Sequence, residues 1–295
     1  MPDMSVARLA VPGGAIHCET YGTAGGTSGG RRALIGLHGG PGAGAAYLRP
    51  MAKLADLCPV ILYDQLGCGR SDIPDDPNLW TVERFCDELD AVIAAAGLDD
   101  AILYGHSWGG WLALDYVLTR PEKVAGLILA STSASVTSFV DGTKDLIEAL
   151  PPEHREAIKQ HDATGAYDHP DYLAAMEVFY ARHLCRADPW PADLLESVGN
   201  LETTPVYPAM NGPNEFTVIG TLKSWDRSAD LGRIACPTLV YCGAHDEIVP
   251  ACTHELADAI PGAKALVIED ASHSALNERP EAVMPHLRAF LQAAL

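Results

Sequence analysis

Serine, aspartate and histidine stand in this chain at positions that suit nucleophilic catalysis. Ser107 lies in Gly105-His106-Ser107-Trp108-Gly109, the G-x-S-x-G pattern of a sharp strand-to-helix turn that holds a serine hydroxyl above a sheet edge. Such a turn presses together the backbone before and after the serine, so small residues must flank it. Asp246 stands in Gly243-Ala244-His245-Asp246-Glu247, and His273 in Asp270-Ala271-Ser272-His273-Ser274. A serine hydroxyl is a weak nucleophile until a base takes its proton. His273 is the candidate base, and Asp246 is the candidate that holds its tautomer and stabilises the imidazolium. Acyl transfer also needs N–H donors for the developing oxyanion, each worth about 3 kcal/mol. Trp108, directly after the serine, offers one; Gly40, in Gly39-Gly40-Pro41-Gly42, offers the other.

Each position has rivals. Glu247 and Asp270 compete with Asp246 for the acid, although Asp270 can equally serve to order the histidine loop. His245 precedes the last strand and so falls out of order. His106 lies inside the turn, where its side chain is expected to point away from Ser107. The glycine loop also resembles a phosphate cradle, but it lacks the Lys-Ser/Thr of a P-loop and the G-x-G-x-x-G spacing.

The elements needed to position these residues are legible. Two strand-like runs from Ser5 to Tyr21 flank Pro12-Gly13-Gly14, a hairpin signature. Apolar runs at 32–38, 59–64, 101–104, 124–130, 237–242 and 264–269 read as strands. A helix is expected over 81–96, with Thr81 as N-cap and Gly97 as stop, and a last helix from about Pro280 to Leu295. The breaker-free segment from Trp111 to Leu118 supplies the helix after the serine. Apolar strands alternating with helices imply a mostly parallel sheet covered on both faces. Ser107, Asp246 and His273 then all fall at carboxyl ends of strands, where such sheets place their sites. From Ser131 to about Trp225 the chain is helical, charged and interrupted by prolines. It is read as a helical cap, residues 132–225, inserted into a core of residues 1–131 and 226–295. The stretch Gly22 to Gly30, rich in Gly, Ser and Thr, reads as a surface hairpin loop.

Composition narrows the class. In 295 residues, 48% are hydrophobic, enough for a substantial core. A net charge of −19 argues against nucleic acid and anionic membranes as partners. The start, with Pro2 and Asp3 and no apolar run behind them, carries no signal-peptide pattern, and a cytoplasmic location is expected. The eight cysteines are then expected as buried reduced thiols, and the spacing of Cys236, Cys242 and Cys252 fits no zinc pattern. Serine, imidazole and backbone donors suffice for acyl transfer, so no metal and no organic cofactor is implied. The sequence assigns no oligomeric state.

Three further runs carry a family resemblance. His38-Gly39-Gly40-Pro41-Gly42, Asp64-Gln65-Leu66-Gly67-Cys68-Gly69-Arg70-Ser71 and the Ser107 turn are similar to those of α/β-hydrolase serine peptidases of the prolyl aminopeptidase (proline iminopeptidase) type. Within the 132–225 block, Met210-Asn211-Gly212-Pro213-Asn214-Glu215-Phe216 and Phe179-Tyr180-Ala181-Arg182-His183-Leu184-Cys185-Arg186 resemble the same family. The resemblance implies an α/β-hydrolase fold and release of an unblocked N-terminal residue, prolyl above all, from short peptides. It implies further that Glu215 and Glu247 bind the substrate's free amine, since charge-assisted hydrogen bonds fix an ammonium and reject a blocked one. Trp225 and Phe216 are equally expected as walls of an apolar side-chain pocket or as core. Two alternatives use the same serine: an L-amino-acid amidase with the same amine anchor, and a carboxylesterase that needs none. Ser107 disfavours epoxide hydrolases and dehalogenases of this fold, which need aspartate at that position.

Overall fold

The computed structural model describes residues 3–22 and 32–295. The surface loop expected from Gly22 to Gly30 lies, beyond Gly22, outside the described residues. Eight strands form one sheet in the order β1-β2-β4-β3-β5-β6-β7-β8. The hairpin β1 (Met4–Val11) and β2 (Gly14–Tyr21) turns at Pro12-Gly13 and adds antiparallel to β4 (Val60–Asp64). From there β3 (Leu34–Leu37), β5 (Ala101–His106), β6 (Val124–Ala130), β7 (Thr238–Gly243) and β8 (Lys264–Ile268) run parallel. The central strands are buried along their whole length, which explains why they read as continuous apolar runs rather than alternating ones. This is the α/β-hydrolase architecture, a mostly parallel sheet flanked by helices.

Two apolar layers close the sheet. On one face Phe85, Leu89 and Ile93 of α1 (Val82–Ala95) pack with α2 (Trp108–Thr119) and with Cys252 and Leu256 of α8 (Pro250–Ala259). Thr81 caps α1, its hydroxyl accepting the Arg84 N–H at 3.3 Å, and Gly97 follows in the left-handed conformation at φ 69°. Helix α2 is apolar all round because it lies buried from Trp108 to Val117. On the other face, Leu48, Met51 and Leu54 of a 3₁₀ segment join Leu287 and Leu291 of the last helix, Pro280–Ala294.

Between β6 and β7 the chain forms five helices: α3 (Val136–Glu148), α4 (Pro152–Thr164), α5 (Pro170–His183), α6 (Ala192–Leu201) and α7 (Val206–Met210). This block has its own small core, in which Ile158, Tyr172, Phe179 and Phe216 pack together. Its two ends meet. Ser135 and Asp226 form an antiparallel bridge, the Val136 N–H donates to the Trp225 carbonyl at 3.0 Å, and Arg227 N–H donates to that of Ala134 at 2.9 Å. Both chain crossings are thereby stapled at one point beside the core sheet.

Candidate active site

The turn at Ser107 is built by close backbone approach. Ser107 has φ 56° and ψ −123°, a sparsely populated conformation for a residue with a side chain. A Cβ on Gly105 would sit 2.4 Å from the Gly109 carbonyl oxygen, and one on Gly109 would sit 2.0 Å from that of Leu37. Both glycines are therefore required sterically. The strained serine is held by a bond from its N–H to Ala130 O at 3.0 Å, and its carbonyl accepts from Gly110 N–H and the Thr132 hydroxyl.

Asp246 and His273 occupy the loops after β7 and β8. Asp246 Oδ1 accepts from the Ile248 N–H at 2.8 Å and lies 2.8 Å from His273 Nδ1. That bond leaves Nε2 as the nitrogen open to the cavity that Ser107 and His273 share. Ser107 Oγ makes no hydrogen bond to His273 in this state. The two loops are seated by the helical block: the His183 carbonyl accepts from both Glu247 N–H (3.2 Å) and His273 N–H (3.0 Å), and Leu184 O accepts from Ser274 N–H.

Sequence reasoning placed two expectations differently. Asp270 does not order the histidine loop; it is mostly exposed and pairs with Arg279. Glu278 does that work, accepting from Ser272 N–H and hydroxyl and from Arg186 N–H. A lone acid one turn into a short helix carried no signal for this. Nor does His106 turn away from the site. Its ring lies edge-on to that of His273 at 4.7 Å, with Nε2 2.9 Å from the His273 carbonyl and Nδ1 2.8 Å from Tyr47 Oη. Burial holds the His106 imidazole down at about 3, so it is neutral. His245 is exposed, and its carbonyl, not its ring, is engaged, by His183 Nδ1.

Gly40 lines the cavity at φ 110°, in a turn where a Cβ would meet the Gly42 nitrogen at 2.6 Å. The neighbouring Gly39 N–H is consumed by Tyr47 Oη at 2.8 Å, whereas the Gly40 and Gly42 N–H groups take no partner among the described residues, and of these two glycines only Gly40 lines the cavity. The Trp108 N–H is likewise unengaged, while its indole is tied to Gln65 at 3.0 Å. Trp225 and Phe216 do not wall the cavity. Trp225 stacks on Trp111 at 5.0 Å and donates to Asp115 Oδ2; Phe216 packs edge-on against Phe179. The apolar lining comes instead from Leu184, Leu194, Val198 and Leu201.

Glu215 and Glu247 complete the site. Glu215 accepts from the Tyr207 hydroxyl at 2.6 Å and lines the cavity. Glu247 is fully buried, neither of its oxygens has a hydrogen-bond partner among the described residues, and Oε1 lies 3.7 Å from His273 Nε2. Burial pushes both carboxyls up, Glu247 well above the usual range, against the opposing charge of His273. Burial pulls the His273 imidazole down, but Asp246, Glu247 and Glu215 outweigh it and hold it at about 9. The site thus gathers acids around one imidazole, with no lysine or arginine to balance them among the described residues.

Elsewhere, all eight cysteines are free thiols and seven of them are buried. Among the described residues, His161, His169 and Asp171 bring three potential ligand atoms within 4.8 Å of one another, but the two imidazoles are stacked face to face at 4.0 Å and none of the three lines the cavity. No described helix is long and apolar enough to cross a membrane.

A family model described as alpha/beta hydrolase fold matches residues 32–280. A proline iminopeptidase of Saccharolobus solfataricus is 37% identical over 265 residues, covering 89% of this chain and 86% of the relative. Among solved structures, a proline iminopeptidase of Mycobacterium smegmatis superposes with a TM-score of 0.90 at 36% identity, covering 98% of each chain. The crystal structure of VinJ superposes with a TM-score of 0.93 at 35% identity over the full length of both.

Proposed function

The chain belongs to the proline iminopeptidase family of α/β-hydrolase serine aminopeptidases, and from that premise we propose that it releases one unblocked N-terminal residue, prolyl first, from short peptides and arylamides through an acyl-enzyme. The observation that carries the substrate side is the pair Glu215 and Glu247, the first half-buried in the cavity lining and the second fully buried, with no cation beside them but His273 among the described residues. Burying unpaired charge is expensive, and a protein retains such groups where a ligand supplies the counter-charge. The α-ammonium of an N-terminal residue is two bonds from the carbonyl that Ser107 attacks. Anions beside His273 Nε2 therefore suit an enzyme that removes a single residue. A prolyl ammonium has two N–H groups, one for each carboxylate. The apolar lining from Leu184, Leu194, Val198 and Leu201 suits a small apolar side chain.

In this reading Ser107 Oγ attacks the carbonyl as its proton passes to His273 Nε2, and Asp246 stabilises the imidazolium through Nδ1. The Gly40 and Trp108 N–H groups receive the oxyanion. His273 then protonates the departing amine, and water repeats the sequence on the acyl-enzyme. Residues 132–225 act as the cap that carries Glu215 and seats the acid and histidine loops. The test compares Pro-, Ala- and Leu-arylamides with their N-acetylated forms. We expect cleavage of the free forms only, and equal rates on blocked and free substrates would refute the amine anchor. Ser107→Ala is expected to abolish both turnover and fluorophosphonate labelling; stoichiometric labelling of that variant would refute the nucleophile.

A further inference from the structure

His273 has two nitrogens, and the structure commits one of them. Nδ1 faces Asp246 Oδ1 at 2.8 Å, so only Nε2 can take the Ser107 proton. Yet the nearest charged atom to Nε2 is Glu247 Oε1 at 3.7 Å, and Ser107 Oγ makes no hydrogen bond to it. The groups facing this imidazole can be named element by element. Asp246 and Glu247 come from the loop after β7, Glu215 from the helical block, and the neutral His106 ring from the end of β5. Three are acids and none is a cation.

We propose that Glu247 holds His273 as its counter-ion in the empty site, and that the substrate's own ammonium displaces it, so that the free amine switches on the catalytic base as well as anchoring the substrate. This rests on the amine-anchor reading given above. Among the described residues His273 is the only positive charge available to these three acids in the empty site, and an imidazolium cannot accept a proton from serine. Asp246, Glu247 and Glu215 together hold it up at about 9, and burial pushes Glu247 up as well, so the His273–Glu247 pair at 3.7 Å retains a proton at neutral pH. An ammonium seated on Glu215 and Glu247 replaces that charge. The Nε2 proton then leaves to bulk water, one released for each ammonium bound, and the Nε2 lone pair becomes free to accept the Ser107 proton. No bond is made or broken besides these proton exchanges.

A consequence follows that binding alone does not produce. Glu247 is required for aminopeptidase turnover, but it suppresses hydrolysis of a substrate that lacks an amine. The test uses p-nitrophenyl acetate with enzyme sites counted by fluorophosphonate titration. In the native chain we expect slow ester turnover at pH 7 that climbs as pH passes about 9. Added methylammonium should raise the enzyme-dependent rate at pH 7, a measurement that needs no variant. Glu247→Gln should raise ester turnover at pH 7 by roughly tenfold, as the base moves back towards its ordinary value near 6.5, while lowering Pro-arylamide turnover. Methylammonium that only inhibits or does nothing, or a Glu247→Gln ester rate at or below native, would overturn the switch. If Pro-arylamide and its N-acetyl form are cleaved equally, the amine-anchor reading itself has failed; if free amines are preferred without activation, that reading stands and the switch alone falls.

Discussion

Two groups of acids in the interior and the cavity of this molecule are treated in opposite ways. On the framework side, Glu88 is fully buried but carries Arg84 at 2.6 Å and the Leu66 N–H. Asp64 accepts from Ala45 N–H and from the Arg70 guanidinium, and Glu19 is held by Arg70, Arg49 and the Tyr21 hydroxyl. Asp115 is clasped by Arg227 and the Trp225 indole. On the site side, Glu215 has one tyrosine hydroxyl and Glu247 has nothing but the edge of His273. The chain places arginines wherever an acid supports the fold and withholds them where acids line the cavity. Acids of the first kind are complete as the protein stands, whereas those of the second lack a cation that a substrate can bring.

The largest effect expected from breaking this division falls on Asp246, the site acid hydrogen-bonded to His273. Asp246→Asn keeps the shape of the loop but loses the charge that supports the His273 imidazolium. A fall in kcat of roughly 10⁴-fold is expected, as when the acid of a serine–histidine–aspartate triad is neutralised, which corresponds to about 5.5 kcal/mol of barrier. Pro-arylamide kinetics with intact thermal unfolding would check it. A loss below tenfold would move the role of acid to another residue.

The next effect tests the framework side. Arg84→Met strands Glu88 in the core, and removing one partner of a buried pair costs about 3–5 kcal/mol. Glu88 is already pushed up by burial, so it protonates in the variant and the cost should lie near the lower end. Denaturant unfolding should show this loss while kcat per folded site stays unchanged. Glu247→Gln is the mirror image: removing an acid in excess of the one imidazolium that Asp246 already pairs should leave stability equal or higher while aminopeptidase turnover falls. If both variants lose stability alike, the division between the two sets of acids is wrong.

The reach of sequence reading follows the same line. Ser107, Asp246 and His273 were legible because chain order and strand ends constrain them together, and the glycines of the turn because sterics leave no other residue. The hairpin and the buried strands were legible from the Pro12-Gly13-Gly14 turn and the apolar runs, but the order of the strands, with β4 between β2 and β3, was not, because pairing partners leave no mark on a run of apolar residues. What escaped was carried by groups without residue identity or with too many candidates. The His183 carbonyl that seats both loops would be the same in any residue. Glu278 and Asp270 are chemically interchangeable as text, and only the path of the helix at 275–278 separates them. Trp225 looked as much like a pocket wall as a core residue, until its stacking on Trp111 and its bond to Asp115 placed it beneath the helical block. The missing cation near Glu247 is likewise invisible in a string that contains 20 lysines and arginines.

Acidity should separate the two sets by direction. Glu19 is held down at about 2 despite the opposing effect of burial, by bonds from Tyr21 and Arg70 and by the charges of Arg70 and Arg49. Its folded value lies below its unfolded one, so its contribution is present above about 4.5 and is lost as pH falls towards 2. His273 is the reverse. Its folded value of about 9 lies above the unfolded 6.5, so its contribution is full below 6.5 and is lost as pH rises through 9. That shift sets an upper bound of roughly 3.4 kcal/mol. Thermal unfolding of the empty protein should therefore weaken between pH 6.5 and 9, and the slope should flatten in Glu247→Gln. A stability flat across that window in the native chain would mean that the site acids do not act on His273.

The smallest effect expected concerns the single hydrogen bond that Glu215 and Glu247 possess between them among the described residues. The Tyr207 hydroxyl donates to Glu215 Oε1 at 2.6 Å and favours its ionised form against the push of burial. Tyr207→Phe leaves the ring in place and removes that donor, so Glu215 ionises less readily and is less well aimed. A bond to a charged group is worth about 1.5 kcal/mol at the low end, which predicts a rise in KM for Pro-arylamide of roughly tenfold or less with kcat nearly unchanged. The decisive measurement is the double variant. If Tyr207 acts by holding Glu215 as an anion, then adding Tyr207→Phe to Glu215→Gln should change KM no further, because the charge that the hydroxyl supports is already gone. An undiminished second loss would mean that Tyr207 shapes the cavity on its own account, and that Glu215, like Glu247, meets the substrate without help from the fold.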